Sequence, residues 1–395
     1  MSQLNSKQGL KVVLSSLFLF ILANAFMGIG GGINDTIFNN YIAATYKISP
    51  MARGVLEFPR ETPGFLIIFL IGFLYFLGDL RVSIIATFLC SFSLIGLGFL
   101  APSFLLLIVW TAIYNTGTHL NMVLTSSIGM ELSKEDEYGK TLGIIGSVAT
   151  AASIIGYFIV MVGFKFLNFS FQAAYVIAAV MYFIAALFLL PIKLPKKTQH
   201  KGFKFVIKKD YWLYYVLSVF FGARKQIFIT FAPWVLIKIF KQPVANFALV
   251  GIICSFLGIG FRNIIGRLID RFGEKKILTF DAIVIFLICL GYAATENIKI
   301  KWLALGLAYG CYIIDNLMFA TSMARSTYIK KIIKHPDDLT PTLSTGTSMD
   351  HAVSMSLPML SGFLWNKFGY EYAFLLAAVF ALGNLYFVRK IKIES

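Results

Sequence analysis

Long apolar stretches alternate with short polar ones along the whole chain. A helix that crosses a bilayer needs about 20 mostly apolar residues. By that rule the pattern predicts spans at 12–42, 51–77, 82–100, 104–130, 140–163 and 170–192. A second set falls at 211–239, 244–266, 277–295, 302–329, 341–366 and 371–388, which makes twelve. The first run is too long for one straight helix, and Gly28, Gly30, Gly31 and Gly32 mark where it would break, bend or pack closely. Loops are short, Ala101-Pro102-Ser103 being one, except 193–210, which holds seven lysines with Pro195 and Gly202. The expected architecture is an all-α membrane protein of twelve transmembrane helices in two pseudo-symmetric six-helix halves. The expected boundaries are an N-terminal bundle at 1–192, a lysine-rich linker at 193–210 and a C-terminal bundle at 211–395.

Composition agrees. The chain is 58% hydrophobic and 14% charged, whereas soluble domains carry roughly 25% charged residues. The formal net charge of +16 does not point to nucleic acid, because the basic residues sit mainly between apolar runs rather than on a soluble surface. They set topology instead. With the N-terminus inside, the cytoplasmic loops hold Lys7, Lys11, Arg81, the seven linker lysines, Arg267, Lys276, Lys330 and Arg389 among others. The outer loops hold few, such as Lys47, Lys165 and Lys299. This bias places both termini in the cytoplasm, with the chain in the cytoplasmic membrane. The N-terminal run continues past its signal-like Ala23-Asn24-Ala25, so an uncleaved first span is expected. Cys90, Cys254, Cys289 and Cys311 lie in apolar runs without metal-like spacing and read as packing residues.

Polar groups inside the spans carry the candidate chemistry. Arg53, Glu57, Arg60 and Glu61 are spaced to share one helical stripe that enters an apolar run, interrupted by Pro59 and Pro63. At about 1.5 Å per residue, Glu61 reaches the midplane while Arg53 and Glu57 stay near the entrance. His119, Arg224 beside Lys225, Asp315 beside Asn316, and Asp350 beside His351 are also central. Intramembrane charges are costly and usually mark solute or ion pathways. Arg60 and Arg224 suit an anionic group because a guanidinium grips it bidentately. Asp35, His119 and Asn316 are further solute contacts. Glu61, Asp315, Asp350 and His351 are the expected proton carriers, since burial and a neighbouring base act oppositely on a carboxylate. Each of these groups also has a purely structural reading, as a fixed ion pair or hydrogen-bonding strut. Arg262 and Arg325 fall near span ends, where long side chains snorkel. Thr141-Leu142, Ser147 and Ser153 recur as Thr342-Leu343, Ser348 and Ser354, offset by about 201 positions, which pairs span 5 with span 11.

Between spans 8 and 9 stands Gly266-Arg-Leu-Ile-Asp270-Arg271-Phe-Gly273-Glu-Lys275-Lys276. This resembles the cytoplasmic loop signature of the major facilitator superfamily, and the span count, linker and inside termini resemble that family across the chain. The resemblance implies a gating latch at Asp270, Arg271 and Lys275, with Gly266 and Gly273 allowing close helix contact and a tight turn; Arg53 and Glu57 join the gating set from the outer side. It also places the charge-bearing spans around a central cavity. The equivalent first-half loop, Gly78-Asp79-Leu80-Arg81, lacks the full spacing, and span 5 lacks the Gly-Pro signature of many drug/proton antiporters of the family.

No phosphate-binding glycine loop, paired metal-ligand histidines or nucleophile elbow accompanies these groups. The expectation is not an enzyme. It is a secondary active transporter of a small polar or anionic solute, proton-coupled, monomeric, and without cofactor or metal. Its partners would be the solute, protons and the lipid bilayer. A transporter-like receptor or scaffold that binds without translocating is the alternative.

Overall fold

The computed structural model describes residues 7–134, 137–194, 207–335 and 338–392. The linker lysines Lys196, Lys197, Lys201 and Lys204 lie outside them. All regular structure among the described residues is helical, in twelve passes. The first six are α1 (Lys7–Thr45), a broken pass of α2 (Pro50–Val55), α3 (Glu57–Phe65) and α4 (Ile67–Leu74), then α5 (Asp79–Phe99), α6 (Phe104–Glu131), α7 (Tyr138–Phe166) and α8 (Phe171–Leu189). The next three are α9 (Trp212–Lys238), α10 (Val244–Phe272) and α11 (Glu274–Ala294). The tenth is broken again, into α12 (Lys301–Met318) and α13 (Ser322–Ile332), and α14 (Leu339–Phe368) and α15 (Tyr370–Val388) follow. Among the described residues, eight passes are long and apolar enough to cross a membrane by length and composition. Of the other four, α2–α4 is interrupted into short helices, and α6, α9 and α14 are long but less apolar.

The first run does not break. α1 is continuous for 39 residues, and its glycines serve close packing. A Cβ on Gly28 would sit 2.3 Å from the Ala149 carbonyl oxygen, and one on Gly32 would sit 2.6 Å from that of Ser153. Helices approach this closely only where side chains are absent. The second pass does break. Ser49 caps α2 by accepting from the Ala52 amide at 3.1 Å, and Pro50 occupies the first turn. Four residues after Val55 comes Pro59, which has no N–H to offer the Val55 carbonyl, and α2 ends there. In the tenth pass a tight 3₁₀ turn at Phe319–Thr321 separates α12 from α13.

Packing divides the chain into two compact units. One comprises Met1–Tyr41, Leu66–Gly202 and Val244–Ile252, and the other Ile42–Phe65, Phe203–Pro243 and Ile253–Ser395. This division departs from chain order at two places, since α2 and α3 pack with the second unit and the start of α10 with the first. The units also differ in chemistry. Among the described residues, the buried polar side chains of the first unit are all neutral, for example the chain Ser83–Asn121–Thr87 with bonds of 2.8 and 3.0 Å. The buried charges, from Arg53 to His351, all belong to the second.

Candidate functional site: a buried ionic network in the second unit

The site is assembled on α14. α2 crosses it with backbones nearly touching: a Cβ on Gly54 would meet the Pro358 carbonyl oxygen at 2.1 Å, and one on Gly362 the Pro50 oxygen at 2.5 Å. That crossing holds the charged stripe of α2 and α3 in place. Arg53 pairs with Glu57 one helical turn away, both fully buried, with the Trp234 ring beside the guanidinium. Arg60 reaches the same Glu57 oxygen at 2.8 Å. Gln226, from α9, donates to Glu57 Oε2 at 2.7 Å and to Glu61 Oε1 at 3.4 Å. His351 Nδ1 closes the chain on Glu61 Oε2 at 2.7 Å.

Two further clusters lie on α9. Successive residues on a helix point about 100° apart, so Arg224 and Lys225 serve different neighbours. Arg224 meets Asp315 of α12 at 3.1 Å and Asp281 of α11 at 3.5 Å, with the rings of Phe221 and Phe319 packed around it. Thr321, in the tight turn of the tenth pass, donates to Asp281 at 2.8 Å. Lys225 pairs with Asp350 at 2.7 Å, and Ser354 donates to the same oxygen at 3.2 Å. Gly222 makes room for that carboxylate, because a Cβ there would lie 2.4 Å from Asp350 Oδ1.

Accessibility sorts these groups. The side chains of Arg60, Glu61, Lys225, Asp350 and His351 keep between 10% and 20% exposure. Arg53, Glu57, Arg224, Asp281 and Asp315 keep 0% to 4%. The first set forms the open edge of the network and the second its closed back.

The remaining sequence candidates stand elsewhere. Asp35 is exposed on α1, and His119 of α6 uses Nδ1 on the Asn115 carbonyl at 2.8 Å; both belong to the first unit. Asn316 turns to its own helix, donating to the Tyr312 carbonyl at 2.8 Å. The loop motif runs from the last turns of α10 into the first turn of α11. Gly273 has φ +81° and makes the tight turn before α11. At Gly266, however, a Cβ would meet nothing within 4 Å, so that glycine marks no close helix contact. Asp270 is exposed and makes no ion pair among the described residues, while Arg271 stacks on Phe272 at 5.2 Å and Lys275 donates to the Ile391 carbonyl at 3.0 Å. The paired acid of this loop is Glu274, which Lys331 of α13 holds at 2.8 Å. The first half repeats the arrangement: Gly78 has φ +78°, and Asp79, the first residue of α5, accepts from Ser127 of α6.

Sequence reasoning missed Asp281 and Gln226. The only signal for Asp281 was an acid inside an apolar run, span 9. Gln226 is uncharged and was hidden beside Arg224 and Lys225.

Comparison with known proteins agrees with this fold. The chain is 26% identical over 299 residues to an uncharacterised MFS-type transporter of Methanocaldococcus jannaschii, covering 72% of this chain and 71% of that protein. A crystal structure of a mutant form of the nucleoside transporter NupG superposes with a TM-score of 0.80 at 15% identity, covering 95% of this chain and all, 100%, of that one. A bacterial homologue of the human lysosomal transporter Spinster, in an inward-facing and occupied conformation, gives 0.73 at 15% identity with 96% of both chains covered. The D-xylose-proton symporter gives 0.70 at 14%, covering 96% of this chain and 98% of that one. The family model of the Major Facilitator Superfamily matches residues 62–335. Twelve helical passes, the fold of solved transporters and this match together establish that the chain is a multi-pass membrane transporter belonging to the Major Facilitator Superfamily.

Proposed function

We propose that the protein is a secondary active transporter that moves a small polar or anionic solute by alternating access, coupled to protons. The supporting observation is the buried network of the second unit, with its closed ionic back and its accessible edge. Charges buried in a membrane protein are expensive and are retained where a solute or ion needs them. A solute contact requires accessibility, which favours Arg60, Lys225 and His351 over the enclosed Arg224. Both Nη groups of Arg224 already meet carboxylates, so it serves as the counter-charge of an acid pair rather than as a solute ligand. With Asp281 and Asp315 both ionised, that trio carries one net negative charge; with one protonated, it is neutral. Glu61 with His351, and Asp350 with Lys225, are the other places where a proton and a solute compete for the same partner. Asp35 and His119 are candidate contacts from the first unit.

On this reading the two halves, 1–192 and 211–395, are the moving bodies, joined by the linker at 193–210. The chain works as a monomer in the cytoplasmic membrane with both termini inside. The Gly266–Lys276 loop and the Arg53–Glu57 pair act as gates at opposite ends. Uptake by proteoliposomes across an imposed pH gradient tests the proposal. A panel of organic acids, amino acids and sugars should yield at least one solute whose accumulation collapses with a protonophore. No flux of any solute under any gradient would rule transport out.

A further inference from the structure

Arg325 is the fourth residue of α13, just past the tight turn of the tenth pass. Its position near a span end suggested a snorkelling side chain, but it turns inward and stacks on Phe221, with the guanidinium carbon 3.5 Å from the ring centroid. The same ring has Arg224 at 4.8 Å and Lys225 at 5.8 Å, so three cations gather around it. Arg224 is held by Asp281 and Asp315, and Lys225 by Asp350. The Arg325 guanidinium makes no hydrogen bond or ion pair among the described residues, and its Nε is buried without an acceptor. Asp350, Asp281, Arg224 and Tyr214 act on it through space only.

A ring face steadies a guanidinium but satisfies none of its N–H donors, which lie in the plane of the fork. A half-buried cation with idle donors fits a partner that comes and goes. We propose that Arg325 is the anion ligand of the transported solute. Its fork, held flat by Phe221, takes two oxygens of a carboxylate or phosphate group, and Lys225 supplies the second cation from the accessible edge. The inference rests on the transport reading and names the solute class as oxyanions. It moves the bidentate grip from Arg224, whose donors are occupied, to a residue whose donors are idle.

Binding to the full purified chain in detergent tests this. The unfolding midpoint and titration heat would be followed with inorganic phosphate and with succinate, against sodium chloride at equal ionic strength. One of the two oxyanions should stabilise the wild-type protein. Arg325→Gln should weaken that binding by about tenfold or more, the loss expected when a bidentate charged contact is removed. Arg325→Lys, which keeps the charge and loses the fork, should fall between, and it carries the test if Arg325→Gln does not fold. Arg389→Gln, exposed just past the end of α15, should bind as wild type does. Unchanged affinity in both Arg325 variants would overturn the assignment while leaving transport untouched. So would stabilisation by phosphatidylglycerol micelles but by neither soluble oxyanion, which would make the occupant a lipid headgroup. Transport itself fails separately, through absence of flux in proteoliposomes.

Discussion

At the scale of single residues, the network depends on partners more than on the charges themselves. Removing one member of a buried ion pair strands the other, which typically costs about 3–5 kcal/mol, whereas replacing the whole set by apolar or neutral groups is often tolerated. Arg224→Met should therefore lower the unfolding midpoint in detergent markedly. Combining it with Asp281→Asn and Asp315→Asn should recover most of the loss. An additive triple variant would show that the three groups are not coupled. Gly222→Ala should also destabilise, by about 1–3 kcal/mol of overpacking, because its Cβ would press on both Asp350 Oδ1 and the Asp350 carbonyl oxygen, at 2.4 and 2.7 Å. Glu61, Asp350, His351 and Arg60 were legible as candidates because a charge inside an apolar run is conspicuous by itself. Asp281 and Gln226 were not, since their importance comes from which base or acid the helix crossings bring within reach.

At the scale of elements, the two broken passes matter most. α2–α4 and α12–α13 interrupt their helices beside the charges, and the breaks give Glu57, Glu61, Thr321 and Arg325 directions that one straight helix would not. Pro59 made the first break foreseeable; the second has no proline and appeared only in the structure. The internal repeat is visible as register. Thr141 and Thr342 are each the fourth residue of α7 and α14, and Gly28 crosses at Ala149 as Gly222 crosses at Asp350. The first unit thus has alanine where the second has its acid. Gly54→Leu should separate α2 from α14 and loosen the Arg53–Glu57–Gln226 chain, seen as a lower midpoint and as faster hydrogen exchange in 50–62.

A second element-scale feature lies outside the spans. Asp338, before α14, accepts from Lys208 and, at 3.1 Å, from the Tyr211 hydroxyl, and the Lys208 ammonium holds its carboxyl below the usual range. A depressed carboxyl stabilises the fold above its unfolded value, near about 4. That contribution is lost as pH falls through the lower folded value. Wild type and Asp338→Asn should therefore differ in midpoint at neutral pH and converge in strong acid. A gap that widened on acidification would contradict the assignment.

At the scale of the molecule, the sequence by itself determined the class. Hydrophobic run length needs no partner to be read, because every backbone group in a bilayer must be satisfied within its own helix. Twelve passes and the absence of strands from the predicted pattern follow from that local rule, while the loop between spans 8 and 9 was legible through its resemblance to the family signature. Tertiary structure decided the rest. It concentrated the buried charges of the described residues in one packing unit, and gave Ile42–Phe65 to that unit. It enclosed Arg224 between two acids and turned Arg325 onto Phe221 with its donors idle. It also brought α2 and α9 against α14 at Gly54, Gly222 and Gly362, where residues far apart in the chain come into close contact. Periodicity reports which face of a helix is polar; only the packed helices decide which polar groups meet.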